Sequence, residues 1–441
     1  MVNKLNIALI LLFITGYVYA QETKYQWVVR GTMKYPVSGA QVVYDIASSS
    51  DKIYLLGGYS DSLQSEVDWI QEYDVVKNTW RIVGRMLQPR EQFVADIWKN
   101  SIMYFGGAAI SSTDKNSIET WDYKIVTNLP SVYDRAKNFG RSFSTGQIIG
   151  NTLYIIGGNP STQSDTLDYI VGYNLETKQV SFTFKSPSAN TFSQRMTMIV
   201  SPYIYIFGGV LNGVTNTIQR FDINKQRLEN LTEKLLDVRA GGSAVYNPLS
   251  QKGFIIGGYN EKFGALNTVE EIEFLPDGTL SIRQGPSLTY ARTNLMAVAY
   301  KNGLVAVFGG RTDRGHSGST VPYFELLELV TSVDEKKQNL PLTHKLFPNY
   351  PNPFNPSTNI SFELASEADI SLDVYNVLGE HIINLVSSYK TPGKYLKNWN
   401  GLDKYGNAVP TGIYFVTLKV SSNSFKVKST SILTQKMLLL K

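Results

Sequence analysis

Six short apolar runs recur along the chain, and each of them ends in two glycines. The runs read IYLLGG, IMYFGG, LYIIGG, IYIFGG, GFIIGG and VAVFGG. The β-branched and aromatic residues of such a run predict a buried strand. Two residues without a Cβ let the backbone turn with positive φ and approach a neighbouring segment closely. The pattern therefore predicts six equivalent strands, each followed by a tight turn.

The glycine pairs are almost evenly spaced, because their first members are 49, 51, 51, 49 and 52 residues apart. Such a period indicates a repeat protein in which each copy buries its apolar faces against the next. The predicted repeat motif consists of Gly57 and Gly58, Gly106 and Gly107, Gly157 and Gly158, Gly208 and Gly209, Gly257 and Gly258, and Gly309 and Gly310.

Other positions repeat with the glycines. Tyr73-Asp74 follows the first pair, with Trp80 seven residues beyond Tyr73, and the same offset joins Tyr173 to Val180. An arginine precedes four of the pairs by 16 to 18 residues. These arginines are Arg90, Arg141, Arg239 and Arg292, whereas the first and fourth copies have Gln41 and Phe192 at the usual offset.

This combination of Gly-Gly, a following aromatic-Asp pair, a tryptophan and a preceding arginine resembles the Kelch repeat. The resemblance covers about residues 24–330 and implies an all-β fold, a six-bladed β-propeller with four strands in each blade. Two copies depart from the pattern, since Trp121-Asp122 stands in the second and Glu273-Phe274 in the fifth. We expect these departures to leave the fold intact.

The four arginines are the candidate ligand-binding residues. In the Kelch family this arginine points toward the central mouth, so the resemblance implies that all four converge there. Guanidinium groups bind carboxylates through two parallel hydrogen bonds, which favours an anionic ligand. The alternative is that each arginine pairs with an acidic side chain or a backbone carbonyl and ties the blades together.

The chain start predicts how the ring of blades closes. WVVRGTM at 27–33 aligns with WRIVGRM at 80–86, but no glycine pair precedes Trp27. The sixth copy has an apolar run from Phe324 to Val330 and then no tryptophan strand. We therefore expect the N-terminal strand to complete the last blade, which removes two exposed sheet edges.

After Val330 the repeat stops. Residues 331–345 are charged and polar and are interpreted as a linker, and 346–441 alternate apolar runs with Gly and Pro turns, which predicts a small β-sandwich. Within it NYPNPFNPST, VYNVLGE, WNGLDKYGNAVPTGIYFVTL and KMLLLK resemble the Ig-like sorting domain of type IX secretion substrates. This implies a type IX translocon as partner, and a protein that is secreted or attached to the outer-membrane surface of a Gram-negative bacterium. The alternative is an Ig-like spacer without a sorting role.

The first twenty residues are consistent with export. Residues 1–20, with Lys4 before an apolar run and a small residue at Ala20, are typical of a signal peptide, and the propeller then spans 21–330. The alternative is an uncleaved anchor, and no other stretch reaches transmembrane length.

The net charge of +5 is scattered, which argues against a nucleic-acid partner. The absence of cysteine excludes disulfides and thiolate chemistry.

Few residues suit catalysis. His316, His344 and His381 are the only histidines and fall in a loop, the linker and the second domain, so no His-based metal site is predicted. Oxygens in the WNGLDKYGN turn offer a weaker alternative, a calcium site, but their spacing matches no defined loop. No nucleophile elbow occurs. We predict no catalytic residue, no metal and no cofactor.

Three functions remain open. The first is a binding protein that recognises an extracellular protein or glycan. The second is a carbohydrate-active enzyme of the sialic-acid mutarotase type, which is also an exported Kelch propeller. The third is a structural component of the cell surface. A pair of carboxylates at the mouth would favour the enzyme, and an aromatic-lined shallow mouth would favour binding.

Overall fold

A computed structural model describes eleven stretches of the chain, and these contain strands and turns but no helix. Within them, accordingly, no helix is long and apolar enough to span a membrane. The predicted signal peptide and most of the predicted linker lie outside the described residues. The described residues are 24–45, 51–108, 116–123, 131–135, 139–160, 168–185, 192–300, 303–314, 318–330, 343–424 and 427–440.

Six four-stranded antiparallel sheets, here called blades 1 to 6, make up the larger part of the structure. The innermost strands are Gln41–Asp45, Val94–Trp98, Thr145–Ile149, Met196–Val200, Ser243–Asn247 and Met296–Tyr300. The second strands, which end at the glycine pairs, are Lys52–Leu56, Ser101–Phe105, Thr152–Ile156, Tyr203–Phe207, Lys252–Ile256 and Leu304–Phe308.

The outer half of each blade is a hairpin of its third and fourth strands. The third strands are Trp69–Asp74, Ser117–Trp121, Asp168–Asn174, Thr217–Asp222, Val269–Phe274 and Tyr323–Val330. The fourth strands are Thr79–Arg85, Ser131–Arg135, Gln179–Lys185, Arg227–Lys234, Leu280–Gln284 and, for blade 6, Lys24–Thr32. Short hairpins in the connecting loops are Tyr59–Ser60 with Ser65–Glu66, Arg141–Ser142 with Asn159–Pro160, and Tyr259–Asn260 with Gly264–Ala265.

A closed ring of backbone hydrogen bonds joins the starts of the six innermost strands. In each blade one residue donates its N–H to the carbonyl of the equivalent residue in the preceding blade, at 2.7–3.1 Å, and the first blade donates to the last. The innermost strands also contact one another in the same circular order. The six blades therefore form a closed propeller. The ring residues are Gly39, Gln92, Phe143, Gln194, Gly241 and Asn294.

The glycine pairs form a second closed ring. The second glycine of each pair donates its N–H to a backbone carbonyl of the next blade, as Gly107 does to Arg141 at 2.7 Å and Gly310 does to Val37 at 3.2 Å. The first glycine has positive φ, and a Cβ on it would lie 2.1–2.7 Å from that same carbonyl oxygen. The motif is thus required by the close approach of neighbouring blades.

The N-terminal strand closes the last blade, as the sequence predicted. Lys24–Thr32 pairs antiparallel with Tyr323–Val330, and Trp27 lies opposite Leu327. Trp27 is buried in a cluster with Val305 and Leu327. Burial of a large apolar side chain contributes about 1.5–3 kcal/mol. Both ends of the propeller chain therefore contribute to one sheet.

The repeated offset of seven residues corresponds to a cross-strand pair. Tyr73 lies opposite Trp80 in the outer hairpin of blade 1, and their rings stack with centroids 4.8 Å apart. Tyr173 lies opposite Val180 in blade 3. The Asp74 carboxylate accepts a hydrogen bond from the Lys77 backbone N–H at 2.9 Å, which stabilises the intervening turn.

Residues 345–439 form a sandwich of two sheets. One sheet consists of Lys345–Leu346, Thr358–Leu364 and Gly393–Trp399. The other consists of His381–Lys390, Ala368–Asn376, Gly412–Ser424 and Val427–Leu439, in that order. Side chains of both sheets share one apolar core, in which Trp399 lies 5.2 Å from the ring of Tyr414.

The sandwich contacts blades 5 and 6 through the hairpin around Thr391. Asn267 donates its side-chain amide to the Pro392 carbonyl at 3.0 Å, and the Lys394 N–H donates to the Thr289 carbonyl at 3.1 Å. Two alanines of the propeller, Ala265 and Ala291, are buried in the same apolar cluster as the sandwich core.

One lysine is buried in this contact. Lys390 is 3% exposed, and its Nζ donates to the Phe263 carbonyl at 3.1 Å. Burial lowers the pKa of Lys390 below its ordinary value, and the nearby charge of Asp313 opposes that shift. The sandwich is therefore seated on the propeller and its contact surface includes desolvated polar groups.

Candidate functional site

The space on the propeller axis is a cavity of about 550 Å³. Residues of all six innermost strands line it, together with the hydrogen-bonded ring at their starts. This volume is within the usual range for a small-molecule site. The cavity is therefore the candidate functional site.

The strand starts place neutral side chains around the cavity. Gln92, Phe143, Gln194 and Asn294 have positive φ, at 50° to 58°, and all four side chains are half-buried. Each adopts this conformation because its N–H and carbonyl both join the backbone ring. One edge of the cavity thus carries three amide groups and one aromatic ring.

Several polar groups that line the cavity are buried without a hydrogen-bond partner among the described residues. They are Ser144 Oγ, Gln147 Oε1, Gln194 Oε1, and Nε and Nη1 of Arg195. All of them belong to blades 3 and 4, which are neighbours in the ring. Buried polar groups in native proteins are nearly always satisfied, so this cluster makes blades 3 and 4 the candidate part of the site. Sequence reasoning missed these residues because they carry no repeated motif.

Asp96 and Arg195 are the charged residues among those that line the cavity. The Asp96 carboxylate accepts hydrogen bonds from the N–H groups of Ile97 and Ile148, both at 2.8 Å. Burial raises the pKa of Asp96 above its ordinary value, and these two hydrogen bonds act in the opposite direction. Asp96 therefore connects the inner strands of blades 2 and 3.

Arg195 lies at the start of the inner strand of blade 4 and is 5% exposed. Its Nη2 donates to the side-chain oxygen of Gln219 at 3.1 Å and to the Ile206 carbonyl at 3.4 Å, and its guanidinium lies over the ring of Phe192. Burial lowers the pKa of Arg195, and the neighbouring hydroxyl of Tyr169 weakly opposes that shift. The described partners of this cation are all uncharged.

The four arginines predicted to bind a ligand are buried inside their own blades. In each, Nη1 donates to the carbonyl of the first glycine of that blade, at 2.9–3.1 Å. Their exposed fractions are 2% or less. They do not line the cavity. This placement supports the alternative interpretation, that they hold the blades together. The four are Arg90, Arg141, Arg239 and Arg292.

Three of these arginines are paired with a buried glutamate of the third strand. The pairs are Arg90 with Glu119 at 2.5 Å, Arg239 with Glu270 at 2.7 Å and Arg292 with Glu325 at 2.5 Å. The backbone carbonyl of each arginine accepts the glycine hydrogen bond from the preceding blade. The side chain thus anchors its own blade, and the backbone joins that blade to its neighbour.

Blades 1 and 4, which lack this arginine, have glutamine where blades 2, 5 and 6 have glutamate. Gln219 of blade 4 pairs with Ile206, two residues before the glycine pair, as Glu270 does with Ile255. Gln71 of blade 1 likewise pairs with Leu55, two residues before the glycine pair. Arginine and glutamate therefore occur together, and this repeated pairing was available in the sequence as a sign of a structural role. Blade 3 differs, because Val171 takes this position beside Arg141.

One position was aligned wrongly from the sequence. Gln41 was taken as the first-blade equivalent of the arginines, but it lies on the inner strand and lines the cavity. The equivalent residue is Val37, whose carbonyl accepts the N–H of Gly310. Six residues separate the strand that ends at Asp45 from the strand that begins at Lys52, against two to four residues in the other blades, which shifts the offset by four residues.

No group of side chains in the described residues is arranged to hold a metal ion. His344 accepts a hydrogen bond from the Ala365 N–H at 3.2 Å, and His381 contacts Asp373 at 2.9 Å. His316 lies outside the described residues. In the WNGLDKYGN turn the Asp403 carboxylate accepts the N–H groups of Tyr405 and Asn407, which is the geometry of a plain turn.

Two family descriptions match parts of the chain. Residues 46–87, which include most of blade 1, match the Kelch motif. Residues 349–432 match the secretion system C-terminal sorting domain. No curated protein matches the chain. These matches confirm the expected architecture, a Kelch motif followed by a C-terminal sorting domain, and they support an exported protein.

Proposed function

We propose that this protein is a secreted or outer-membrane-attached binding protein whose propeller cavity recognises a saccharide. The observation that supports this is the cluster of unpartnered polar groups on blades 3 and 4 of the cavity. The glutamine oxygens accept hydrogen bonds, and the serine hydroxyl both donates and accepts them. A polyhydroxylated ligand has matching donors and acceptors on all sides.

The rest of the cavity fits this chemistry. Gln92 and Asn294 add two further amides, and Phe143 adds an aromatic face against which a sugar ring can pack. An extracellular peptide is the other ligand class that amides could bind. The compact closed ring of strands favours the smaller ligand.

A catalytic role has less support. An enzyme of the sialic-acid mutarotase type would need an acid–base pair, and among the described residues that line the cavity Asp96 is the one carboxylate. Both oxygens of Asp96 already accept backbone hydrogen bonds. We therefore place binding ahead of catalysis.

A glycan array probed with the purified full-length chain tests the proposal. Bound saccharides are then titrated calorimetrically against Gln147→Ala and Gln194→Ala. Each variant should lose about fivefold or more in affinity, since each removes a hydrogen-bonding group worth about 1 kcal/mol. The matched control is Gln64→Ala, whose side chain lies outside the cavity on a blade 1 loop. An array without any hit, or hits unaffected by both cavity variants, would contradict the proposal.

Export by a type IX translocon belongs to the same proposal. The match to a sorting domain supports it. A chain that ends at Val330 keeps residues 1–20 and should accumulate in the periplasm, whereas the full chain should reach the cell surface or the medium. Fractionation with an antibody against the propeller measures this, and normal surface amounts of the shortened chain would contradict it.

A further inference from the structure

The two ends of the sandwich have different surroundings. One end, the hairpin around Thr391, contacts blades 5 and 6. The opposite end is where the strand Ala368–Asn376 ends and the strand His381–Lys390 begins. The described part of the propeller leaves large apolar side chains exposed at this opposite end, here called the apolar end. They are Tyr350, Val377, Leu378, Tyr405, Ile413 and Leu440.

The most exposed side chains of the apolar end lie in ordered turns. Leu378 is 80% exposed and Tyr405 is 76% exposed. The side-chain oxygen of Asn376 accepts the N–H groups of Leu378 and Glu380, both at 3.0 Å. In the same way the Asp403 carboxylate accepts the N–H of Tyr405 at 2.8 Å. Because both turns are already ordered, a partner that binds them loses little free energy to conformational entropy.

The two turns are neighbours in the sandwich. The Lys404 N–H donates to the Ile382 carbonyl at 3.0 Å, and Ile382 lies four residues after Leu378. Exposed apolar surface of this kind marks an interaction site. The carboxylates of Glu380 and Asp403 belong to the same two turns, and they disfavour contact with an anionic lipid surface. The apolar end is therefore suited to bind another protein.

We propose that a component of the type IX translocon binds the sandwich at the apolar end and buries Leu378 and Tyr405 in an apolar pocket. The match of residues 349–432 to a secretion system sorting domain supports this partner, because that range includes both turns. The propeller already contacts the opposite end, so the apolar end is the accessible one in the full chain. The inference rests on the proposed export, since it assigns the surface that the translocon recognises.

Export of the full-length chain from a Gram-negative bacterium with a type IX translocon tests the proposal. In the double variant Leu378→Ser with Tyr405→Ser the amount at the cell surface and in the medium should fall by about tenfold or more, because two apolar side chains no longer enter the pocket. The melting temperature of the purified variant should stay unchanged, since both side chains are exposed. Leu378→Met with Tyr405→Phe keeps the apolar surface and should be exported normally.

The matched control is Val76→Ser with Leu249→Ser, which changes two exposed apolar residues in turns of blades 1 and 5. This control should be exported normally. Normal export of the Leu378 and Tyr405 serine variant would overturn the inference, and the proposed export would stand if the chain that ends at Val330 still stayed in the periplasm. Surface delivery of that shortened chain would overturn both.

A second copy of the chain is the other occupant that the apolar end could bind. Sedimentation of the purified full chain distinguishes this case. The natural protein and the serine variant should sediment alike as monomers. A dimer of the natural protein that dissociates in the serine variant would assign the apolar end to contacts between copies and would overturn the inference.

Discussion

Blade 5 and blade 4 have the same four-stranded fold around different polar centres. In blade 5 the buried pair of Arg239 and Glu270 spans the first and third strands, and Glu270 also accepts the N–H of Leu236. In blade 4 neutral Gln219 takes the place of the glutamate, and the cation comes from Arg195, at a different position of the inner strand. The buried cation of blade 5 has a carboxylate partner, whereas the described partners of the buried cation in blade 4 are uncharged. The comparison indicates that the blades accommodate different buried polar groups as long as the backbone hydrogen bonds between neighbouring blades are kept.

Blades 4 and 5 keep these arrangements only while the ring of blades is closed. We therefore expect opening the ring to have the largest effect on stability. Deletion of residues 21–33 removes the fourth strand of blade 6 and uncovers Leu327, which pairs with Trp27. The edge of Tyr323–Val330 would then expose unpaired backbone groups. We expect aggregation or loss of the cooperative unfolding transition. A shortened protein that melts like the full chain would contradict ring closure by this strand.

Removing one partner of the buried arginine–glutamate pair in a blade should have the next largest effect on stability. Arg292→Ala leaves Glu325 buried without its partner, which costs about 3–5 kcal/mol of unfolding free energy. Urea denaturation measures this. Arg85→Ala, in an exposed pair with Asp68, is the control and should cost less than about 1 kcal/mol.

The double variant Arg292→Val with Glu325→Gln copies the neutral pair that blade 1 has in Val37 and Gln71. It should be more stable than Arg292→Ala, because no isolated charge remains in the blade. A double variant that is less stable than the single one would show that the arginine matters for its packing more than for its charge.

The two glutamines offer a finer test of the comparison. Gln71 is fully buried, and both its amide atoms lack a partner in the described structure. Gln71→Leu should therefore raise the unfolding free energy by about 1 kcal/mol. Gln219 has hydrogen bonds to Tyr169, Arg195 and Asn230, so Gln219→Leu should lower it by about 1–3 kcal/mol. Equal effects from both substitutions would contradict the proposed difference between blades 1 and 4.

The smallest expected effect on stability comes from an ion pair of blade 1 and depends on pH. Burial acts to raise the pKa of Glu72 in blade 1, but hydrogen bonds and charges from Arg81 and Lys52 outweigh it, so the pKa lies below its ordinary value of 4.5. The Glu72 carboxylate is then protonated less readily in the folded state than in the unfolded state. This contribution to stability is present above pH 4.5 and is lost as the pH falls through the lower folded value.

Comparison with Glu72→Gln measures that contribution. The variant should be about 1 kcal/mol less stable than the natural protein at pH 7, and the difference should shrink as the pH falls below 4.5. A difference that is constant from pH 7 to pH 3 would contradict the assigned ion pairs.

The sequence predicted the architecture because the fold depends on local rules. A glycine pair is needed wherever two blades share a hydrogen bond, so the period was visible, and the tryptophan of a fourth strand identified Trp27 as the closing strand. The direction of the arginines was not visible. Their offsets locate the backbone, but only the position of Glu119, Glu270 and Glu325 on the third strands shows that the side chains lie inside the blades.

The candidate site could not have been predicted from the repeat. Ser144, Gln147, Gln194 and Arg195 lie on neighbouring blades only because blades 3 and 4 are adjacent in the closed ring, and none of these residues belongs to a repeated motif. The seating of the sandwich on blade 5 was equally hidden. Asn267 and Ala265 lie in an ordinary polar loop, and their role depends on a hairpin more than 120 residues later in the chain.

The strand Tyr323–Val330 has a mechanical consequence. It is the last strand of the propeller before the sandwich, and it is hydrogen-bonded on one side to Leu304–Phe308 and on the other to Lys24–Thr32. Force applied to the C-terminal end of the propeller would run along this strand and load the hydrogen bonds on both of its sides in shear. Bonds loaded side by side must break together, whereas bonds at a peeled edge break one at a time. A propeller that places its first described strand beside its last one is thus arranged to resist unfolding when its C-terminal end is pulled.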